Sequence, residues 1–184
     1  MRTDRLGYEG EVAVILGCKS KDVAADKAAP YFWGYLLQND ISARTTLPAT
    51  DNAQSSFMRS KNFDGSISAG PYVVVGEFPD AQDISWETRV NGEVCQEGNT
   101  KDMTFTFAEY LEYMSSDMTL LPGDVISAGT TVGTAQDSSE LLPSEPGQAP
   151  MRAPERFLKP GDVVEVSNPE MGTLLNRIVA KPGA

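Results

Sequence analysis

Tyr8-Glu9-Gly10-Glu11-Val12-Ala13-Val14-Ile15-Leu16 reads as a β-strand: the run after Glu11 is apolar, rich in β-branched residues, and ends at Gly17. Side chains two apart on a strand share a face. The carboxylates of Glu9 and Glu11 therefore stand side by side, about 7 Å apart at the backbone by strand rise. Val12, Val14 and Leu16 fill the opposite face, and Gly10 leaves a gap there. Adjacent carboxylates beside an apolar segment repel each other unless water solvates both or a cation sits between them. Two readings follow. The pair is either two solvated acids at the frayed start of a strand, or part of a site for a hard divalent ion with oxygen ligands, such as Mg²⁺ or Mn²⁺.

The totals narrow the partners. The 184 residues suffice for one domain, 1–184, with a real core, and 40% hydrophobic with 22% charged residues is ordinary globular composition. A formal net charge of −11 lacks the basic footprint that phosphate backbones require, so no nucleic-acid partner is expected. No apolar run is long enough to span a membrane, and Met1 to Leu6 has no signal-peptide core, so no membrane partner is expected. Cys18 and Cys95 match no metal or redox spacing and read as reduced thiols in a cytoplasmic chain. The sequence contains no histidine, which excludes Ser-His-Asp and Cys-His catalysis and any histidine metal site within these residues.

Outward from the first strand, Ser20 or Asp22 is placed to cap a short helix over Val23 to Ala29, stopped near Pro30. Tyr31 to Leu37 reads as a buried strand, and Asp40 follows at its exit, on a loop with a rigid base. Residues 45–58 and 136–156 read as flexible loops from their Thr, Ser, Pro and Gln content. Gly70 to Gly76 is a second buried-strand candidate. Asn91-Gly92 between alternating runs predicts a hairpin from Asp83–Val90 to Glu93–Gln96. Thr106 as N-cap, followed by Phe107, Tyr110, Leu111 and Met114 at helical spacing, predicts a helix to Ser116. Leu121-Pro122-Gly123-Asp124 and Lys159-Pro160-Gly161-Asp162 are matching turn phrases that each feed a strand, and Phe157 to Val179 reads as a closing hairpin. The expected fold class is α+β, mainly β.

Several phrases, in order, carry a resemblance. They are Tyr8-Glu9-Gly10-Glu11-Val12-Ala13-Val14-Ile15; Asn39-Asp40-Ile41-Ser42-Ala43-Arg44; Ser60-Lys61-Asn62-Phe63-Asp64; Val90-Asn91-Gly92-Glu93-Val94-Cys95-Gln96; Pro122-Gly123-Asp124 through Gly129-Thr130; and Leu158 through Val166. Together they resemble the C-terminal catalytic domain of the fumarylacetoacetate hydrolase family over nearly the whole chain. The resemblance implies a mixed β-roll with two or three short helices, assembled as a homodimer, holding Mg²⁺ or Mn²⁺, or alternatively Ca²⁺. It places the metal carboxylates on Glu9, Glu11 and Asp40, an active-site lysine on Lys61, a substrate-facing arginine on Arg44, and a threonine near metal and substrate on Thr130. Family substrates are small 2-oxo or 1,3-dicarbonyl acids, and chelation of such an acid by a divalent cation polarises the carbonyl and stabilises an enolate. That device serves C–C hydrolysis, decarboxylation and keto–enol isomerisation alike. Arg44 suits a substrate carboxylate and Lys61 an oxyanion.

The resemblance is incomplete at two points. Thr45-Thr46-Leu47 replace acidic and glutamine positions often found after the arginine, and the histidine with which family hydrolases activate water, carried before the Tyr-Glu-x-Glu strand, has no counterpart in these residues. Three expectations follow: decarboxylation or tautomerisation in which metal polarisation carries most of the barrier reduction, a partner chain that supplies the histidine-bearing segment, or a non-catalytic subunit that keeps the metal site. Glu140 and Glu145 are candidate substitute bases on the second loop.

Overall fold

The structure, a computed structural model, describes residues 5–43, 60–76, 81–140 and 154–180. The stretch that opens the sequence analysis is β2 (Gly10–Leu16), and the chain builds two four-stranded antiparallel sheets around it. The remaining strands are β1 (Leu6–Gly7), β3 (Phe32–Asp40), β4 (Ser42–Ala43), β5 (Ile67–Val75), β6 (Ser85–Val90), β7 (Glu93–Asn99), β8 (Val125–Ser127), β9 (Val163–Asn168) and β10 (Gly172–Arg177). One sheet has the order β5-β3-β2-β8 and the other β10-β9-β6-β7, while β1 pairs with β4 in a short ribbon. This is the mainly β, α+β fold expected, with the helix α1 (Phe107–Asp117) and several 3₁₀ turns.

Alternation along β2 divides its side chains as the sequence predicts. Val12, Val14 and Leu16 are buried in the main core together with Leu37 of β3, Trp86 of β6, Val166 of β9 and Leu111 of α1. Phe107, at the start of α1, packs its ring against Phe32 and Tyr35, with centroids 6.5 and 5.9 Å away. Thr106 caps α1 in a reciprocal box: its hydroxyl accepts from the Glu109 N–H, and the Glu109 carboxylate accepts from the Thr106 N–H. A second cluster joins Tyr8, Ile41, Phe157, Leu158, Val164 and Ile178.

The two Pro-Gly phrases fold alike. Gly123 and Gly161 take φ of +92° and +102°, and Asp124 and Asp162 each accept a hydrogen bond from the backbone N–H three residues earlier, at 2.7 Å in both cases. Asn91 and Gly92, with φ of 52° and 84°, form the tight turn between β6 and β7, and β7 runs on to Asn99, beyond the expected Gln96.

Four local expectations are corrected. Val23 to Ala29 forms two 3₁₀ turns, Ala25–Lys27 and Ala29–Tyr31, rather than one helix, and Pro30 lies inside the second. Pro30 lacks the N–H that a continuing α-helix would need there. Among the described residues β5 is an edge strand, paired with β3 alone, so Tyr72, Val73 and Val75 are exposed instead of buried. Trp33, at the start of β3, is also exposed, whereas Trp86 is buried as core. Asp40 is the last residue of β3 and not a loop residue. The expected loop 45–58 lies outside the described residues, as do 141–153 of the second loop; its described ends are a turn reaching Glu140 and a 3₁₀ turn at Pro154–Arg156. Cys18 and Cys95 are free. No helix among the described residues is long and apolar enough to cross a membrane.

Candidate metal centre

The site arises from the register of two strands. In the β2–β3 ladder Gly10 faces Asn39 and Glu11 faces Gln38, and one step further the Asp40 N–H donates to the Glu9 carbonyl at 2.9 Å. Glu9 and Glu11 thus share a sheet face with Gln38 and Asp40. Glu9, Glu11 and Asp40 each offer a carboxylate oxygen, and these atoms lie within 4.8 Å of one another.

Lys61 lies across two of them. Its ammonium donates to Glu9 Oε2 and Asp40 Oδ2, each at 2.7 Å, and to the Asp40 carbonyl at 3.2 Å. All three side chains in these ion pairs are largely withdrawn from water, so the charges are only weakly screened. The second Glu9 oxygen accepts from the Ser42 hydroxyl, and Glu11 Oε2 accepts from the hydroxyl of Ser127 and from Gln38 Nε2.

Glu11 is the deepest of the three, with 2% of its surface exposed. Burial pushes its carboxyl up from 4.5 to about 7; the Ser127 hydroxyl opposes that shift, the neighbouring Asp40 and Glu9 reinforce it, and Lys61 opposes it. Among the described ion pairs, one ammonium faces these acids. Three carboxylates against one ammonium sum to −2 when all are ionised, the charge that a divalent cation neutralises. Asp40 Oδ1 is buried without a hydrogen-bond partner among the described residues, an arrangement that costs free energy unless an ion or water satisfies it. The hard, all-oxygen donor set and the orphaned oxygen fit Mg²⁺, Mn²⁺ or Ca²⁺.

The structure therefore brings Glu9, Glu11, Asp40 and Lys61 together. Thr130 is nearby but differently engaged: its hydroxyl donates to the Gly10 carbonyl at 2.9 Å and accepts from Gln96 Nε2 at 2.8 Å. Its contacts are to the peptide between the two glutamates. Arg44 and Glu145 lie outside the described residues, and Glu140 is exposed.

Residue-by-residue reading of the sequence missed Gln38, Ser42, Ser127 and Gln96. Ser42 and Gln38 were reachable by counting in twos from Asp40 along the same stretch. Ser127 and Gln96 were not, since their roles depend on how β8 and the second sheet approach β2.

Comparison with known proteins agrees with this fold. Residues 2–179 match the family model described as fumarylacetoacetate (FAA) hydrolase C-terminal. Among solved structures, fumarylacetoacetate hydrolase from the psychrophile Exiguobacterium antarcticum is 34% identical with a TM-score of 0.78, covering 97% of this chain and 58% of its own. A 5-carboxymethyl-2-hydroxymuconate delta-isomerase from Mycobacterium smegmatis is 33% identical with a TM-score of 0.76, covering 97% and 61%. An uncharacterised protein of Methanocaldococcus jannaschii is 35% identical over 174 residues, 95% of this chain and 62% of the relative. This chain spans 53–62% of the length of the curated relatives it matches. On the extent of the family match and the identity of these relatives, the chain belongs to the fumarylacetoacetate hydrolase family.

Proposed function

We propose that residues 1–184, as a single domain, form a divalent-metal-dependent enzyme acting on a small 2-oxo or 1,3-dicarbonyl acid. The observation that carries this reading is the convergence of Glu9, Glu11 and Asp40 on one face, with Asp40 Oδ1 buried and unpartnered among the described residues and Lys61 bridging two of the acids. Glu9, Glu11 and Asp40 would hold Mg²⁺ or Mn²⁺, and Arg44 would pair the substrate carboxylate. When bound, the cation supplies Lewis-acid polarisation of the substrate carbonyl and stabilises the enolate form.

The protein's own groups do the positioning. Ser42 and Ser127 donate to Glu9 and Glu11, fixing the direction of the carboxylates. Lys61 has all three N–H groups engaged, and the longest bond, 3.2 Å to the Asp40 carbonyl, is the one a substrate oxyanion would replace at least cost. The named activities of two similar structures, a hydrolase and an isomerase, support chemistry of this class.

A second reading is favoured by one fact: none of the 184 residues is a histidine. Hydrolysis would then need a water-activating base from outside these 184 residues, for which a partner chain is one source, or these residues would serve as a non-catalytic subunit that retains the metal site. Decarboxylation and keto–enol isomerisation need no activated water and fit these residues more directly, although isomerisation still requires a group that carries the proton between carbon and oxygen. The assembly proposed from the family resemblance is a homodimer, which sedimentation velocity measures.

The test is turnover of oxaloacetate and a series of acylpyruvates in Mg²⁺ or Mn²⁺, followed by CO₂ release, C–C cleavage and enol absorbance. Lys61→Met and Glu9→Gln should each lower any turnover by at least about 100-fold, the scale of a lost electrostatic contact at a reacting oxyanion. Activity that persists unchanged in both variants would sink the proposal.

A further inference from the structure

The peptide between the two glutamates is held by side chains from elsewhere. Gly10 faces Asn39 across β3 at a position whose N–H and C=O point to the other edge of β2. On that edge β8 pairs with β2 only from Ala13 to Ile15, and the last backbone bond runs from the Ala128 N–H to the Val12 carbonyl. Beyond it the ladder stops, and Gly10 finds other partners. Its N–H donates to Gln96 Oε1 at 3.0 Å. Its carbonyl accepts from Trp86 Nε1 and from the Thr130 hydroxyl, both at 2.9 Å. Gln96 is 2% exposed, and its amide closes the circuit by donating to Thr130 Oγ1 at 2.8 Å and to the Thr131 carbonyl at 2.9 Å.

Gln96 and Trp86 belong to β7 and β6, so this clamp crosses from one sheet to the other. Its reach depends on a bare Gly10. A Cβ there would stand 1.9 Å from Thr88 Oγ1 on β6, a fully buried side chain with no room to retreat, and would force the sheets apart.

We propose that Gln96 is a positioning residue for the metal site: by holding the Gly10 peptide it fixes the spacing and direction of the Glu9 and Glu11 carboxylates, with Thr130 as its relay. This inference rests on the proposed metal site. The Gly10 N–H belongs to the plane that ends at the Glu9 Cα and the Gly10 carbonyl to the plane that ends at the Glu11 Cα, so Gln96, which binds the first directly and the second through Thr130, constrains both ligands. Thr130 contributes through the same peptide, which gives it a role that requires no contact with substrate. The Gly129-Thr130 turn is in this way coupled to the metal ligands.

The test is Mn²⁺ affinity and the electron paramagnetic resonance spectrum of bound Mn²⁺ in the wild type and in Gln96→Met, Thr130→Val and Thr130→Ser. Ser115→Ala serves as a stability control; Ser115 is fully buried, and its hydroxyl accepts from the Val23 N–H on a part of the fold that does not touch Gly10. Gln96→Met should bind Mn²⁺ about 10–100-fold more weakly, as for other residues that orient metal ligands, with an altered zero-field splitting. Thr130→Val should weaken binding less, because Trp86 still holds the Gly10 carbonyl, and Thr130→Ser should restore it. Ser115→Ala should lower the melting temperature of the metal-free protein and leave affinity and spectrum unchanged. Wild-type affinity and spectrum in both Gln96→Met and Thr130→Val would overturn the inference while leaving the metal site standing. So would equal loss of affinity in Ser115→Ala. No Mn²⁺ binding by the wild type would overturn the metal site itself and this inference with it.

Discussion

Among the site's carboxyls Glu11 lies deepest, and its protonation links pH to both stability and cation binding. Its folded value of about 7 stands above its ordinary 4.5, because burial penalises the charged form. A raised carboxyl contributes relative stability that is fully present below pH 4.5 and lost as pH rises through about 7. Metal-free protein should therefore lose stability across pH 4.5 to 7 in a way that Glu11→Gln abolishes, as chemical denaturation at a series of pH values would show. The opposite slope holds for the cation. Binding needs the carboxylate, so Mg²⁺ or Mn²⁺ affinity should rise through the same window and level off above it, with proton release measurable by calorimetry in buffers of different ionisation enthalpy. Affinity independent of pH between 4.5 and 8 would show that Glu11 is not a ligand.

At the level of elements, α1 is specified by its own first turn. Thr106 and Glu109 satisfy each other's backbone N–H groups, and those bonds hold the Glu109 carboxyl below its usual range. Thr106→Ala should cost about 1 kcal/mol, measured by urea denaturation, which corresponds to a fall of roughly 2–4 °C in melting temperature for a chain of this size. The Glu109 part of that stability is present above the carboxyl's unfolded value and lost as pH falls through the lower folded one. The difference between wild type and Thr106→Ala should accordingly shrink in acid. Since α1 covers β2 and β3 through Phe107 and Leu111, the cap supports the sheet that carries the metal ligands without touching them.

For the molecule as a whole, the two sheets and the metal site form one linked system. Glu9 and Glu11 flank a peptide tied to the second sheet, Asp40 closes β3, and Lys61 arrives from a separate helical turn. A cation that binds this assembled site and not the unfolded chain stabilises the fold by mass action, by about 2.7 kcal/mol at 100 times its dissociation constant. Calorimetric melting should therefore shift upward with Mg²⁺ or Mn²⁺ and respond far less to Na⁺ at equal ionic strength. Asp40→Asn should remove most of the shift. No shift with any divalent ion would overturn the proposed metal site.

Local rules made much of this chain legible in its sequence. The alternation of β2 put Glu9 and Glu11 on one face and Val12, Val14 and Leu16 on the other, the Asn91-Gly92 pair gave the hairpin, and Thr106 gave the helix start, because each depends on residues only a few positions apart. The resemblance named Asp40 and Lys61, but only the folded register set Asp40 beside Glu9 as part of a strand, 31 positions away by numbering, and brought the Lys61 ammonium between them. The length of the Val23–Ala29 turn, the exposure of β5 and the grip of Gln96 on Gly10 were likewise decided in three dimensions. Each turns on which elements become neighbours, and that follows from burying the apolar faces of two sheets against one another rather than from any preference a short segment holds alone.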